Sequence, residues 1–242
     1  MGALMRPHVS QDIDAVIFDL DGVIADSRQV IENAWRTVAS CHGRFLAEDD
    51  VERYVHGYAG AETVRILFPD RAAAERSKIW AEVDQIEENA SYTEIPGVIE
   101  FILDLRRNGV RLGIATSSWP TKVSNILRTF GISDAFAALV TRDDVAAGKP
   151  HPATYTTMSR ILKVKAGSML VFEDSPSGVA SAVAAGATCI GVGAEECLRE
   201  MGAAATIPHF LSLHLDRTSQ GLVHLAVEGM TCRLSALPTC PA

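Results

Sequence analysis

The sequence predicts an α/β protein: a parallel sheet with helices on both faces, carrying an inserted all-helical block directly after its first strand. Three observations carry that prediction. Short apolar runs without polar alternation recur along the chain, amphipathic helical stripes separate them, and residues 28–90 hold helix signals and no convincing strand.

The first strand spans residues 14–20. Ala15, Val16, Ile17 and Phe18 follow one another without a polar residue between them, as in a strand buried on both faces. The helical block follows, in "RQVIENAWRTVASCHG", "AETVRILF" and "RAAAERSKIWAEVDQIEENA". It is too long for an ordinary crossover and is expected to form a separate cap that moves as a lid. Pro96 and Gly97 open the next helix, Val98, Phe101, Ile102 and Leu105 share one face of it, and Asn108 and Gly109 close it. A second buried strand follows at Val110–Ala115, then a helix with Val123, Ile126, Leu127 and Phe130 on one face, ending at Gly131. Further strands are expected at Ala138–Thr141, Met169–Glu173 and Thr188–Val192, the last two separated by the Ala-rich helix "SPSGVASAVAAG". After Leu215 the pattern weakens into a short strand, a helix or a frayed end. The expected domains are a core of residues 1–27 and 91–217, a cap of residues 28–90 and a C-terminal extension of residues 218–242.

With 22 basic and 30 acidic side chains the net charge is −8, unfavourable for nucleic acid or an anionic membrane surface. The five cysteines are odd in number and form no Cys-x-x-Cys pair, which points to a reducing compartment. No apolar run approaches the roughly 20 residues that cross a bilayer, and the first residues lack the apolar centre of a secretory signal. A cytoplasmic monomer or homodimer is expected, with neither nucleic acid nor membrane as a partner.

In a sheet of this kind ligands sit at the carboxyl ends of the strands. There the chain places "DLDG" (Asp19, Asp21), "ATSS" (Thr116, Ser117, Ser118) and "VFED" (Glu173, Asp174), with "GKP" holding Lys149 between rigid neighbours. Paired carboxylates suit Mg²⁺, which takes oxygen ligands and leaves part of its shell to substrate phosphate. One carboxylate can also attack phosphorus while its neighbour handles the leaving oxygen's proton. A hydroxyl and a lysine can hold the phosphoryl oxygens.

"DLDGVIADS", "ATSS", "GKPHPATY" and "VFEDSPSGVASAVAAG", in that order, resemble the four motifs of the haloacid dehalogenase superfamily, over residues 14 to about 215. The resemblance implies a Rossmann-like core and is closest to the subgroup with a helical cap between the first two motifs, which includes β-phosphoglucomutase and phosphoglycolate phosphatase. It implies Asp19 as nucleophile and Asp21 as general acid/base, and Thr116, Ser117 and Lys149 as phosphate-binding residues. Mg²⁺ would be held by Asp19, the backbone carbonyl of Asp21 and Asp174, with Glu173 nearby. Asp21 is absent from the dehalogenating branch, so its presence points to phosphate esters.

The expected activity is therefore a Mg²⁺-dependent phosphatase of a small phosphorylated metabolite. A phosphosugar mutase is the alternative, weakened by Ile31 where the mutases carry a histidine and by Trp119 and Pro120 where they carry a cation. A receiver domain or silent binding module is a second alternative, opposed by the long insertion. Arg53, His56, Tyr58 and Arg65 of the cap, and Trp119, are candidate substrate contacts; His209, His214 and His224 fit no ligand spacing.

Overall fold

The computed structural model describes residues 10–56, 60–193, 196–218 and 222–236. The described chain opens with β1 (Ser10–Ile13) and β2 (Ala15–Phe18), separated by Asp14 alone. The short β3 (Ala25–Asp26) leads into helices α1 (Arg28–Cys41), α2 (Glu48–Asp50), α3 (Gly60–Leu67) and α4 (Ala73–Glu88), with a π-helical turn at Val51–Val55. Strand β4 (Thr93–Glu94) returns to the core, followed by α5 (Val98–Arg107), β5 (Leu112–Ala115), α6 (Pro120–Thr129) and β6 (Ala138–Val140). Then come α7 (Ala153–Leu162), β7 (Met169–Glu173), α8 (Pro176–Ala184), β8 (Thr188–Val192), α9 (Cys197–Glu200) and β9 (Ala205–Ile207). Strands β10 (Leu215–Arg217), β11 (Val223–Val227) and β12 (Met230–Leu234) close the described chain.

Six strands form a parallel sheet in the order β6-β5-β2-β7-β8-β9. Side chains alternate across a strand, and here both faces are apolar. Val16, Phe18, Leu170 and Phe172 enter one core, while Ala15, Ile17, Met169 and Val171 enter the other. The stacked rings of Phe18 and Phe172, 5.3 Å apart, anchor the first core beneath α5 and α6. The parallel sheet explains why the strands read as unbroken apolar runs. It also sets β2, β5 and β7 side by side, so that Asp19, Thr116 and Asp174 emerge together at one edge.

The inserted helices own a separate apolar cluster. Trp35, Val38, Leu46, Val51, Val64, Leu67, Ile79 and Val83 pack on one another. The chain enters and leaves this cap through the antiparallel pair β3–β4, with Ala25 opposite Glu94 and Asp26 opposite Thr93.

The C-terminal residues form more than one short element. Strands β10, β11 and β12 join β1 in a four-stranded sheet ordered β1-β12-β11-β10. Val223, Leu225, Val227, Cys232 and Leu234 extend the first core, so this sheet covers a face that α5 alone leaves open. Strand β1 carries no apolar signature in Gln11 and Asp12; it is a strand because β12 supplies a parallel partner from the far end of the chain. Among the described residues no helix is long and apolar enough to cross a membrane.

Candidate active site

The turn after β2 builds the site. Asp19 donates its backbone N–H to the Phe172 carbonyl (3.0 Å), which extends the pairing with β7 one residue beyond the strand and fixes the carboxylate at the sheet edge. Gly22 then turns the chain at φ +70°, with its N–H on the Ala25 carbonyl. A Cβ on Gly22 would lie 1.8 Å from Asp174 Oδ2. The glycine is therefore required twice, by its left-handed backbone and by the close approach of Asp174. Gly22→Ala is expected to push Asp174 aside and raise at least about tenfold the divalent-cation concentration that half-saturates the site. Metal titrations of the variant and the parent protein measure this.

Lys149 reaches across from the loop after β6. Its ammonium donates to Asp19 Oδ1 (2.9 Å), Glu173 Oε1 (2.5 Å) and the Ala115 carbonyl (3.1 Å). Glu173 is wholly buried, and the hydroxyl of Tyr155 donates to the same Oε1 (2.6 Å). Glu173 thus faces Lys149 and Tyr155, and its neighbour Asp174 faces the cavity. Carboxylate oxygens of Asp19, Glu173 and Asp174 lie within 4.8 Å of one another. Burial, only partly offset by Lys149 and reinforced by Glu173 and Asp21, pushes the Asp19 carboxyl up to about 7. Burial together with the charges of Glu173 and Asp19 pushes Asp174 well above the carboxylate range. So much crowded negative charge, all on hard oxygen, fits a divalent cation.

Asp21 is held differently. Burial works against its ionisation, but the charge and hydrogen bond of Lys122, together with hydrogen bonds from Ser118 and Ser27, hold its carboxyl below the usual range. Lys122 Nζ donates to Asp21 Oδ1 (2.7 Å), and Ser118 Oγ donates to Oδ2 (2.5 Å). Thr116 is buried at the end of β5, where its hydroxyl accepts the Ser118 N–H (3.0 Å), and Ser117 is exposed beside it.

These residues line one cavity of about 710 Å³ between sheet edge and cap. Asp19, Asp21, Thr116, Ser117, Lys149 and Asp174 form its floor; His56, Trp80, Asp84 and Glu87 of the cap, with Trp119, form its roof. His56 hydrogen-bonds Glu32 (3.0 Å), and Trp119 Nε1 donates to Glu88. Two of the cap candidates are not brought to this cavity. Arg53 is exposed on the π-helical turn, its guanidinium over the Tyr54 ring (5.8 Å), because that turn aims it outward. Arg65 pairs with Glu62 on the exposed side of α3 (2.9 Å). Tyr58 lies outside the described residues.

Sequence reasoning passed over Lys122, Glu87, Tyr155 and Arg142. Lys122 left a signal: it stands four residues before Ile126, at the edge of the stripe that α6 buries, and a lysine there requires buried carboxylates. Arg142 left none. Its guanidinium lies between the rings of Trp80 (4.6 Å) and Trp119 (4.4 Å) and forks onto Asp84, an arrangement assembled only when cap and core meet.

A parallel sheet whose central strand leads into two carboxylates, with a lysine, a hydroxyl and a second acidic pair from neighbouring strands beneath an inserted helical cap, is the architecture of a capped α/β hydrolase. The family model described as haloacid dehalogenase-like hydrolase matches residues 16–192, and the chain belongs to that family. It is 32% identical over 181 residues to hexitol phosphatase A of Escherichia coli, covering 74% of this chain and 82% of the relative. It is 30% identical over 193 residues to the beta-phosphoglucomutase of Bacillus subtilis, covering 74% and 83%. Its fold is similar to that of CbbY from Rhodobacter sphaeroides, solved in complex with xylulose-(1,5)bisphosphate, with a TM-score of 0.72 and 24% identity over 83% of this chain and 96% of that one. The protein is an enzyme of the phosphatase kind, and relatives in this family act on small phosphorylated substrates.

Proposed function

We propose that this enzyme is a cytoplasmic, Mg²⁺-dependent phosphatase whose substrate is a phosphate monoester of a small uncharged polyol or sugar. The observation that carries the substrate class is the charge of the cavity roof. Among the described residues each cation there is already paired. Arg28 sits on Glu32 (3.1 Å) and Glu52 (2.6 Å), Arg142 on Asp84 (3.2 Å), and Lys122 on Asp21 (2.7 Å) and Glu87 (2.8 Å). Glu62, Asp84 and Glu87 line the same space. A second phosphate group would meet carboxylates there without a free counter-charge, whereas hydroxyl groups would find acceptors and indole faces. The same roof disfavours a bisphosphate passing through the site in two orientations, as phosphosugar mutation requires. Ile31 lines the cavity and brings no acid or base to it.

In this reading a carboxylate oxygen of Asp19 attacks phosphorus. The bond from phosphorus to the leaving oxygen breaks, and its electron pair stays on that oxygen, which takes the proton of Asp21. The incoming phosphate's negative charge raises the proton affinity of Asp21 for this step. A water then attacks the aspartyl-phosphate, passing its proton to Asp21, and the electron pair of the phosphorus–Asp19 bond returns to the carboxylate. Thr116, Ser117 and Lys149 hold the phosphoryl oxygens. Asp19, Asp174 and the carbonyl of Asp21 would hold Mg²⁺, which when bound neutralises charge on the phosphoryl group. Cys41, Cys189 and Cys232 are free thiols, as a reducing compartment allows. The unit of function is a monomer or homodimer.

A panel of phosphate esters tests this reading. Hexitol and sugar monophosphates are expected to release phosphate in the presence of Mg²⁺, and exhaustive chelation to abolish the release. Sugar bisphosphates should be poor substrates. Conversion of glucose 1-phosphate to an isomer, stimulated by a bisphosphate activator and without net phosphate release, would establish the mutase instead.

A further inference from the structure

We propose that Lys122 is a positioning residue for Asp21, and that it holds the general acid in place jointly with Glu87 of the cap, so that docking of the cap sets the orientation of Asp21. This rests on the reading of Asp21 as the proton donor to the leaving oxygen.

Lys122 is only 1% exposed. An ammonium so deeply buried is stable only when paired on good geometry. Its partners come from two different bodies of the structure. Asp21 Oδ1 (2.7 Å) belongs to the core and Glu87 Oε2 (2.8 Å) to the last turn of α4 in the cap. The stem of Lys122 stands on the first turn of α6 and is fixed to the core, with the rings of Trp119 and Tyr92 each 5.5 Å from the charge.

Besides the hydrogen bond from Ser27 at the entrance to the cap, the two oxygens of Asp21 are held by different devices. Oδ2 accepts from Ser118, a contact wholly within the core (2.5 Å). Oδ1 accepts from an ammonium whose place is shared with the cap. The same end of α4 carries other ties across the cleft: Asp84 to Arg142, the Glu88 side chain to Trp119 and the Glu88 carbonyl to Asn125. Of these, only the Glu87 tie leads through one side chain to the acid. With the cap undocked, Lys122 would lose one of its two anions, and Oδ1 would lose a donor held at fixed distance. In the same reading the phosphoryl group is held by Lys149, which stands on Asp19, so phosphate binding does not require Lys122.

A leaving-group comparison separates positioning from a structural role. The kcat/KM value reports the steps through phosphoenzyme formation, in which the acid matters for an alkoxide and hardly at all for 4-nitrophenolate. Lys122→Met is expected to lower kcat/KM for glycerol 2-phosphate at least about tenfold more than for 4-nitrophenyl phosphate, within the range that general acids contribute. Glu87→Gln, nearly the same shape, should show the same selectivity to a smaller degree, and Lys122→Arg should recover part of it. Should Lys122→Met fail to fold, Glu87→Gln and Lys122→Arg decide the matter. An equal loss on both esters in these variants, with Asp21→Asn still selective, overturns the positioning role and leaves the acid assignment standing. If Asp21→Asn itself loses both esters equally, Asp21 is not the acid, and the inference falls with that reading.

Discussion

Asp19→Asn is expected to abolish phosphate release, by a factor on the order of 10⁴ or more, while leaving the fold intact. The amide has almost the shape of the carboxylate but no anionic oxygen to attack phosphorus. Stability should move the other way. In protein freed of divalent cations, burial raises Asp19 from 3.8 to about 7, so the folded state keeps this proton where the unfolded chain has released it. Ionising the group then works against folding: stability falls by ~1.4 kcal/mol per pH unit between about 4 and about 7 and levels off above. The Asn variant lacks that loss, so its advantage in melting temperature should widen over the same window in chelator and narrow when Mg²⁺ is added. Parallel curves for the two proteins in chelator would show that Asp19 is not the strained group of this site. Retained turnover would remove it as nucleophile.

Lys149→Met is expected to damage both activity and stability. The lysine bridges Asp19 (2.9 Å) and Glu173 (2.5 Å), and Glu173 is wholly buried, so its removal leaves uncompensated charge in the core. Breaking a buried pair from one side costs about 3–5 kcal/mol, in contrast to the small effect of exposed pairs. Because Asp19 and Asp174 also lose the cation that moderates them, the variant should depend on Mg²⁺ for folding more strongly than the parent does. Phosphate release should fall by about 10³-fold, the scale on which one preorganised charge stabiliser acts. Denaturant titrations with Mg²⁺ and with chelator give the first quantity, and ester hydrolysis gives the second. A variant as stable as the parent in chelator would mean that Glu173 is held without the lysine, by Tyr155 and by the hydroxyl of Ser175, which donates to its Oε2 (3.3 Å).

Asp19 and Lys149 are legible in the amino-acid sequence because their chemistry and their place coincide there. Apolar runs such as "AVIF" and "MLVFE" mark strands buried on both faces, and strand ends in a parallel sheet all face one edge. The chain text alone therefore puts Asp19, Thr116 and Asp174 in one place. The all-helical composition of residues 28–90 likewise marks an inserted body, because helical periodicity is a local property. Strand β1 is not legible: Gln11 and Asp12 have no apolar alternation, and only β12, more than two hundred residues away, makes them a strand. The C-terminal hairpin needs the same kind of help, since its buried face is short and packs on a core built by other segments.

The division within the site follows the same physics. A strand end is set by its own strand, and so Asp19, Thr116 and the acidic pair can be read directly, while Lys149 is marked by its rigid neighbours in "GKP". The pairing of Lys122 with Glu87, the seating of Arg142 between Trp80 and Trp119, and the outward turn of Arg53 depend on how cap and core dock. Docking joins two separately packed bodies through contacts between residues far apart in the chain, and no local pattern records it. Residue types at strand ends are a local property of the chain, and they carry the family to which it belongs. Which cations remain free to meet a substrate is set in three dimensions, because a charge is free or spent according to its neighbours in space.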